Sequence, residues 1–211
     1  MTDRPDHANQ DTPDEQYLQF YNLESYLFDT VRQRFAIEGH LNGFDFFCIV
    51  IWKANRAKSK IAKKLLKAFK GMTLDDAVLE LTKGIATQET PAEKLRFMLS
   101  GKTPFALPMA TAILSVLYPE EFTIYDRRVC EVLGKFEKLK NITKFAKLWD
   151  GYVEFKRAVE SRAPKGLSLR DKDRYLWGMS FANQLRSDVA NGFSKSSDDD
   201  NEDFTTDQSP A

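Results

Sequence analysis

Apolar residues recur four apart at Leu23, Leu27, Val31 and Phe35, with polar residues between them. This spacing predicts one amphipathic helix that stops near Gly39. Residues 43–52 (Gly-Phe-Asp-Phe-Phe-Cys-Ile-Val-Ile-Trp) are apolar nearly all round, a pattern that a buried strand and a buried helix both satisfy. Continuation into Lys53-Ala-Asn-Arg-Ala-Lys, with no hairpin partner nearby, favours a central helix. Ile61, Leu65 and Phe69 keep the helical stripe going beneath a charged face.

Capping residues then mark out further helices. Thr73 with Asp76 opens one that runs through Leu81, and Thr90-Pro91-Ala-Glu93 is a fuller capping box, with its helix reaching Leu99 and ending at Gly101. A short turn of Lys102-Thr-Pro-Phe-Ala leads into an apolar helix over 107–117, with Pro108 in its first turn. A loop follows, and then Asp126 caps another helix whose apolar face is Val129, Leu133 and Phe136. One more helix is expected over 143–161, and Ser168 with Asp171 caps a last one carrying Tyr175, Leu176, Trp177, Met179 and Leu185. No internal repeat and no convincing strand is visible, so the fold class is all-α.

Charge divides the chain more sharply than its net value of zero implies. Residues 1–16 hold five acids and one Arg, residues 191–211 hold six acids and one Lys, and the body between them is left at +9. Both ends are polar and aperiodic, and read as disordered acidic tails around a helical domain over 17–190. Between Lys53 and Lys70 there are eight Lys or Arg and no acid. Such a run is commonly a solvated helix face, yet surface helices usually mix both signs, and a one-signed face suits a polyanion through counterion release.

Several classes are disfavoured. No run of about 18 apolar residues predicts a membrane span, and the first residues lack the basic and apolar regions of a secretory signal. Cys48 and Cys130 sit among apolar neighbours and read as buried thiols of a cytoplasmic protein. With His7 and His40 they are too scattered for a zinc or iron–sulfur centre, so no metal and no cofactor is expected. Nucleotide-binding loops, zinc-protease and serine-hydrolase motifs and paired-carboxylate motifs are missing as well.

Three stretches carry a family resemblance. Leu107-Pro-Met-Ala-Thr-Ala, followed by Ile124-Tyr-Asp126-Arg-Arg-Val129, resembles the hairpin and catalytic-Asp segments of the helix-hairpin-helix (HhH-GPD) DNA glycosylase superfamily, with Asp126 lying 17 residues after Met109. Ile51-Trp-Lys-Ala-Asn55 is similar to the family segment whose amide side chain enters the DNA stack. Leu169-Arg-Asp-Lys-Asp-Arg-Tyr-Leu-Trp177-Gly178 is similar to a D-x-x-L-W-x-x-G segment near the C-terminus of several members. The resemblance covers roughly residues 20–188 and implies a two-lobed helical fold. One lobe would span 71–135 and carry the hairpin and Asp126; the other would combine 17–70 with 136–190.

Departures from the family matter. Phe105-Ala106-Leu107 replaces the hairpin glycines that let backbone approach a phosphate. The family position for an imine-forming lysine falls at Met109 or Ala110, neither of which is nucleophilic. The resemblance therefore implies a monomeric, monofunctional glycosylase that acts on double-stranded DNA with a modified or damaged base, in base-excision repair or in defence against phage with modified DNA. Asp126 would be the catalytic carboxylate, stabilising positive charge on the sugar and orienting water. It could equally be a helix cap only.

Lys53, Asn55, Arg56, Lys58, Lys102, Arg127 and Arg128 are the candidate DNA contacts, with Asn55 filling the gap left by the extruded base. Arg127 and Arg128 could instead pair with Glu131 or Glu120, and Asn55 could cap a helix. Trp52, Tyr125 and Trp177 are candidates for the wall of the base pocket, although each is also suited to the core. A non-catalytic helical DNA-binding module is the alternative reading, and a protein-interaction domain with a solubilising Lys face is a third.

Overall fold

The structure is a computed structural model, and it describes residues 17–194. Every regular element among them is helical: α1 (Leu18–Tyr21), α2 (Leu23–Ser25), a π-helical segment (Tyr26–Val31), α3 (Arg32–Glu38), α4 (Gly43–Ala54), α5 (Lys58–Ala68), α6 (Leu74–Ala86), α7 (Pro91–Ser100), α8 (Leu107–Leu117), α9 (Arg127–Leu133), α10 (Phe145–Arg162) and α11 (Leu169–Ala190). The all-α class is therefore right. None of these helices is long and apolar enough to cross a membrane. The acidic stretches 1–16 and 195–211 lie outside the described residues, while residues 191–194 form a turn after α11.

Capping drives the boundaries as expected. Thr73 Oγ1 accepts from the amide of Asp76, and Thr90 forms a full capping box with Glu93. Ser168 accepts from the amide of Asp171 at the head of α11. Gly39 ends α3 with φ at +71°, a conformation that favours glycine because it has no Cβ. At Gly101, which ends α7, an added Cβ would lie 2.5 Å from the Phe97 carbonyl oxygen, so the tight exit into the next turn needs glycine.

Several boundaries differ from the sequence reading, three of them informatively. The helix begun at Gly43 does not run on through the basic stretch: Ala54 leaves helical geometry (φ −163°, ψ 88°), and a 3-10 turn over Asn55–Ala57 redirects the chain into α5. Helix α6 continues to Ala86, because Ile85 is fully buried and extends its apolar stripe. Phe136 is outside α9; Gly134 stops that helix in the left-handed region, and Phe136 itself has φ of 78°.

Helix α8 is the centre of the core. Apart from Pro108, each of its residues is buried, and it packs on α4, α7, α3 and the π segment. Burial on every side explains why its sequence lacks a polar face. The N-terminal half of α4 is held by a buried polar cluster in which Asp45, fully buried, accepts from Tyr26 Oη at 2.6 Å and pairs with Arg34. Burial, with Asp45 next in effect, pushes the Tyr26 phenol up to about 12.

Candidate active site

The segment 118–126 leaves α8 and brings an extended chain through the core. Phe122, Thr123, Ile124 and Tyr125 are all buried, so their backbone polar groups need partners away from water. Tyr152 of α10 answers both groups of Thr123: its Oη accepts from the Thr123 amide at 3.1 Å and donates to the Thr123 carbonyl at 2.7 Å. Thr111 of α8 accepts from the Tyr125 amide at 3.0 Å. The chain is thereby fixed immediately before Asp126.

Asp126 then caps α9. Its Oδ1 accepts from the Arg128 amide at 3.0 Å, while Oδ2 receives the ammonium of Lys53 from the last turn of α4. Both side chains keep a small solvent-accessible fraction, 17% for Lys53 and 19% for Asp126. Burial by itself would favour the neutral acid. The Lys53 charge and hydrogen bond, then the Arg128 amide, outweigh it and hold the carboxyl below its ordinary value. Asp126 is thus an ionised, partly accessible carboxylate at a helix N-terminus.

Lys53, expected on a phosphate, is bonded to Asp126 instead, because the end of α4 brings it to the site from 73 positions away. Arg128 is likewise inside rather than on a phosphate face. It is 6% exposed, donates from Nη1 to Gln184 Oε1 at 2.6 Å, and lies over the rings of Trp177 and Phe181 at 5.5 and 5.8 Å. Arg127 is exposed and pairs with Glu131 at 3.5 Å.

Asn55 is exposed at the start of the 3-10 turn and accepts from Lys58 Nζ at 2.7 Å. Arg56 and Lys58 are exposed beside it. Lys102 is also exposed, with its ammonium 4.1 Å from the centre of the Phe69 ring. Lys64 of α5 reaches the Pro104 carbonyl, so the basic helix and the α7–α8 turn adjoin.

Of the three aromatic candidates, Tyr125 does not line a pocket: it is 3% exposed and its hydroxyl donates to the carbonyls of Phe136 and Glu137. Trp52 is half-buried, edge-on to Phe28 at 5.8 Å with Arg170 5.2 Å above its ring. Trp177 stacks on the exposed Phe181 at 5.7 Å with planes 8° apart. Neither of two open surface recesses is lined by Asp126. One of about 380 Å³ lies between Phe35 and Tyr118, and one of about 350 Å³ between Phe28, Glu24 and Arg170.

Sequence reasoning left Asp173, Arg170, Glu24 and Phe181 without a role. Arg170 bridges Asp173 (2.5 Å) and Glu24 (2.8 Å), and the charges of Asp126 and Lys53 act on the Asp173 carboxyl. The i, i+3 spacing of Arg170 and Asp173 within the stretch 169–178 was the available signal. Comparison with family models, curated proteins and solved structures finds no match to this chain. The site therefore rests on its own geometry.

Proposed function

We infer that this protein is a DNA N-glycosylase that extrudes a modified base and hydrolyses its glycosidic bond. The observation that carries the reading is Asp126, a partly accessible carboxylate kept ionised at a helix N-terminus by Lys53 and the Arg128 amide. Loss of the base builds positive charge on the sugar, and a fixed anion beside C1′ stabilises that charge and aligns a water for attack. No nucleophile stands at Met109, so base release is by water. The two-lobed arrangement implied by the resemblance belongs to the same reading, as do repair or phage defence as its setting.

Binding would come from α5, whose Lys58, Lys60, Lys63, Lys64 and Lys67 are all exposed. The Trp177–Phe181 stack next to Arg128 offers a flat aromatic surface for a base. Incubation with oligonucleotides carrying a range of modified bases, and with phage DNAs, followed by alkali, should reveal strand breaks at abasic sites. Those breaks should disappear with Asp126→Asn.

A non-catalytic DNA-binding module is the second reading, and one observation favours it. Lys53 neutralises Asp126, which is what a structural ion pair would also do. DNA affinity without base release across the whole panel would select this reading.

A further inference from the structure

Helix α11 brings a second acidic side chain near the site. Asp173 is 4% exposed and accepts from Arg170 Nη1, one turn back on the same helix, at 2.5 Å. The other arm of that guanidinium reaches Glu24 at 2.8 Å, and its plane lies over Trp52 at 5.2 Å and Phe28 at 4.7 Å. Trp52 directly precedes Lys53, whose ammonium is on Asp126. One guanidinium therefore ties Asp173 to the helical turn that presents Lys53.

Charged and titratable groups act on this carboxyl from each element around it. Arg170 comes from its own helix, Glu24 from α2 through Arg170, Lys53 from α4 and Asp126 from the cap of α9; Tyr152 of α10 feels the Asp173 charge. Burial pushes the Asp173 carboxyl up to about 7; Arg170 works against the rise, Asp126 adds to it and Lys53 opposes it. Two carboxyls in one site whose environments drive them apart, one held ionised and one drawn towards the neutral acid, is the arrangement by which proteins divide charge and proton roles.

We propose that Asp173 is a positioning residue for Asp126: through Arg170 and Trp52 it holds the turn that presents Lys53 to that carboxylate. Protonated, it leaves Lys53 to Asp126 alone. Ionised, it adds a negative charge near the pair and deepens the potential felt by a cation forming at Asp126. The catalytic consequence rests on the glycosylase reading of Asp126; the positional one does not.

Lys53 reports the effect without DNA. Trace acetylation with acetic anhydride at about pH 9, below the ordinary lysine pKa, labels each amine faster the more freely it is presented to the reagent. Mass spectrometry then compares Lys53 with the exposed lysines of α5 in the same sample. Asp173→Asn should speed Lys53 labelling several-fold, because a loosened turn frees the amine from Asp126, and leave α5 unchanged. Equal Lys53 rates in folded wild-type and Asp173→Asn protein overturn the proposal. If the Asn variant does not fold, Arg170→Lys, which removes the second arm of the bridge and the contact with Trp52, takes its place: faster Lys53 labelling supports the proposal and an equal rate overturns it.

With any oligonucleotide that releases a base, wild-type activity should rise through neutral pH. The rise should flatten in Asp173→Asn and return in Asp173→Glu; an unchanged profile in the Asn variant counts against the positioning role. No base release from any oligonucleotide sinks the glycosylase reading, and the acetylation ratio still decides whether Asp173 positions Lys53.

Discussion

Lys53 at the end of α4 and Asp126 at the cap of α9 form an ion pair across 73 positions of sequence, each with less than a fifth of its side chain accessible. The pair joins the helix that enters the core from one side to the loop that leaves α8. Removing the lysine would leave a largely enclosed carboxylate without its ammonium partner. Lys53→Met should therefore lower stability by about 1–3 kcal/mol at neutral pH, between the values for exposed and fully buried pairs. Asp126 has its folded pKa depressed, so this contribution is present above the unfolded carboxylate pKa and is lost as pH falls through the folded one. Urea denaturation at neutral pH and at acid pH should show the difference shrinking on acidification.

Asp173 carries the opposite sign. Its folded pKa of about 7 lies above the ordinary 3.8, so the folded state binds the proton more tightly than the unfolded state does. Stability contributed by this group is full below the unfolded value and falls as pH rises towards the folded one. In wild-type protein, denaturation midpoints should drop across that window. Asp173→Asn cannot ionise, so its stability relative to wild type should improve between pH 5 and pH 8, by roughly 1 kcal/mol or more given about 1.4 kcal/mol per pKa unit.

Tyr152 pins both backbone groups of Thr123, three residues before Asp126. Deleting only the hydroxyl leaves a buried amide and carbonyl without their partner. Tyr152→Phe should cost about 1–3 kcal/mol in thermal or urea unfolding. It should also reduce base release more than binding, because it loosens the segment that aims the carboxylate and leaves the basic helix intact.

The α5 face makes a separable prediction about DNA. Replacing Lys60, Lys63 and Lys67 together with Gln should weaken binding to duplexes of any sequence. It should also reduce the slope of log affinity against log salt by about one for each phosphate that is no longer neutralised. A slope that stays the same in fluorescence-anisotropy titrations would remove α5 from the interface.

Much of the fold was legible locally. Four-residue apolar spacing and the caps at Thr73, Thr90, Asp126 and Ser168 are properties of adjacent residues, and they set helix starts correctly. Helix ends were less legible where a distant partner decided them, as at Ala86, where burial of Ile85 prolonged α6. Likewise Ala54 breaks the helix that the apolar run at 43–52 leads into, a local geometry that composition did not forecast.

For the site, the chain itself determined that Asp126 would stand at a helix N-terminus, because a short acidic side chain ahead of a helical run can accept from the amides beyond it. Only the tertiary structure decided what that carboxylate is. Whether an acid is ionised depends on which charges and how much apolar matter surround it, and those come from α4 and α11, far along the chain. The same cause moved Arg128 from the expected phosphate surface to a place against Trp177 and Phe181, took Tyr125 into the core, and made a partner for Asp126 out of Lys53. Periodicity records which face of a helix is apolar; it does not record which helices meet, and charge interactions act only between groups that meet.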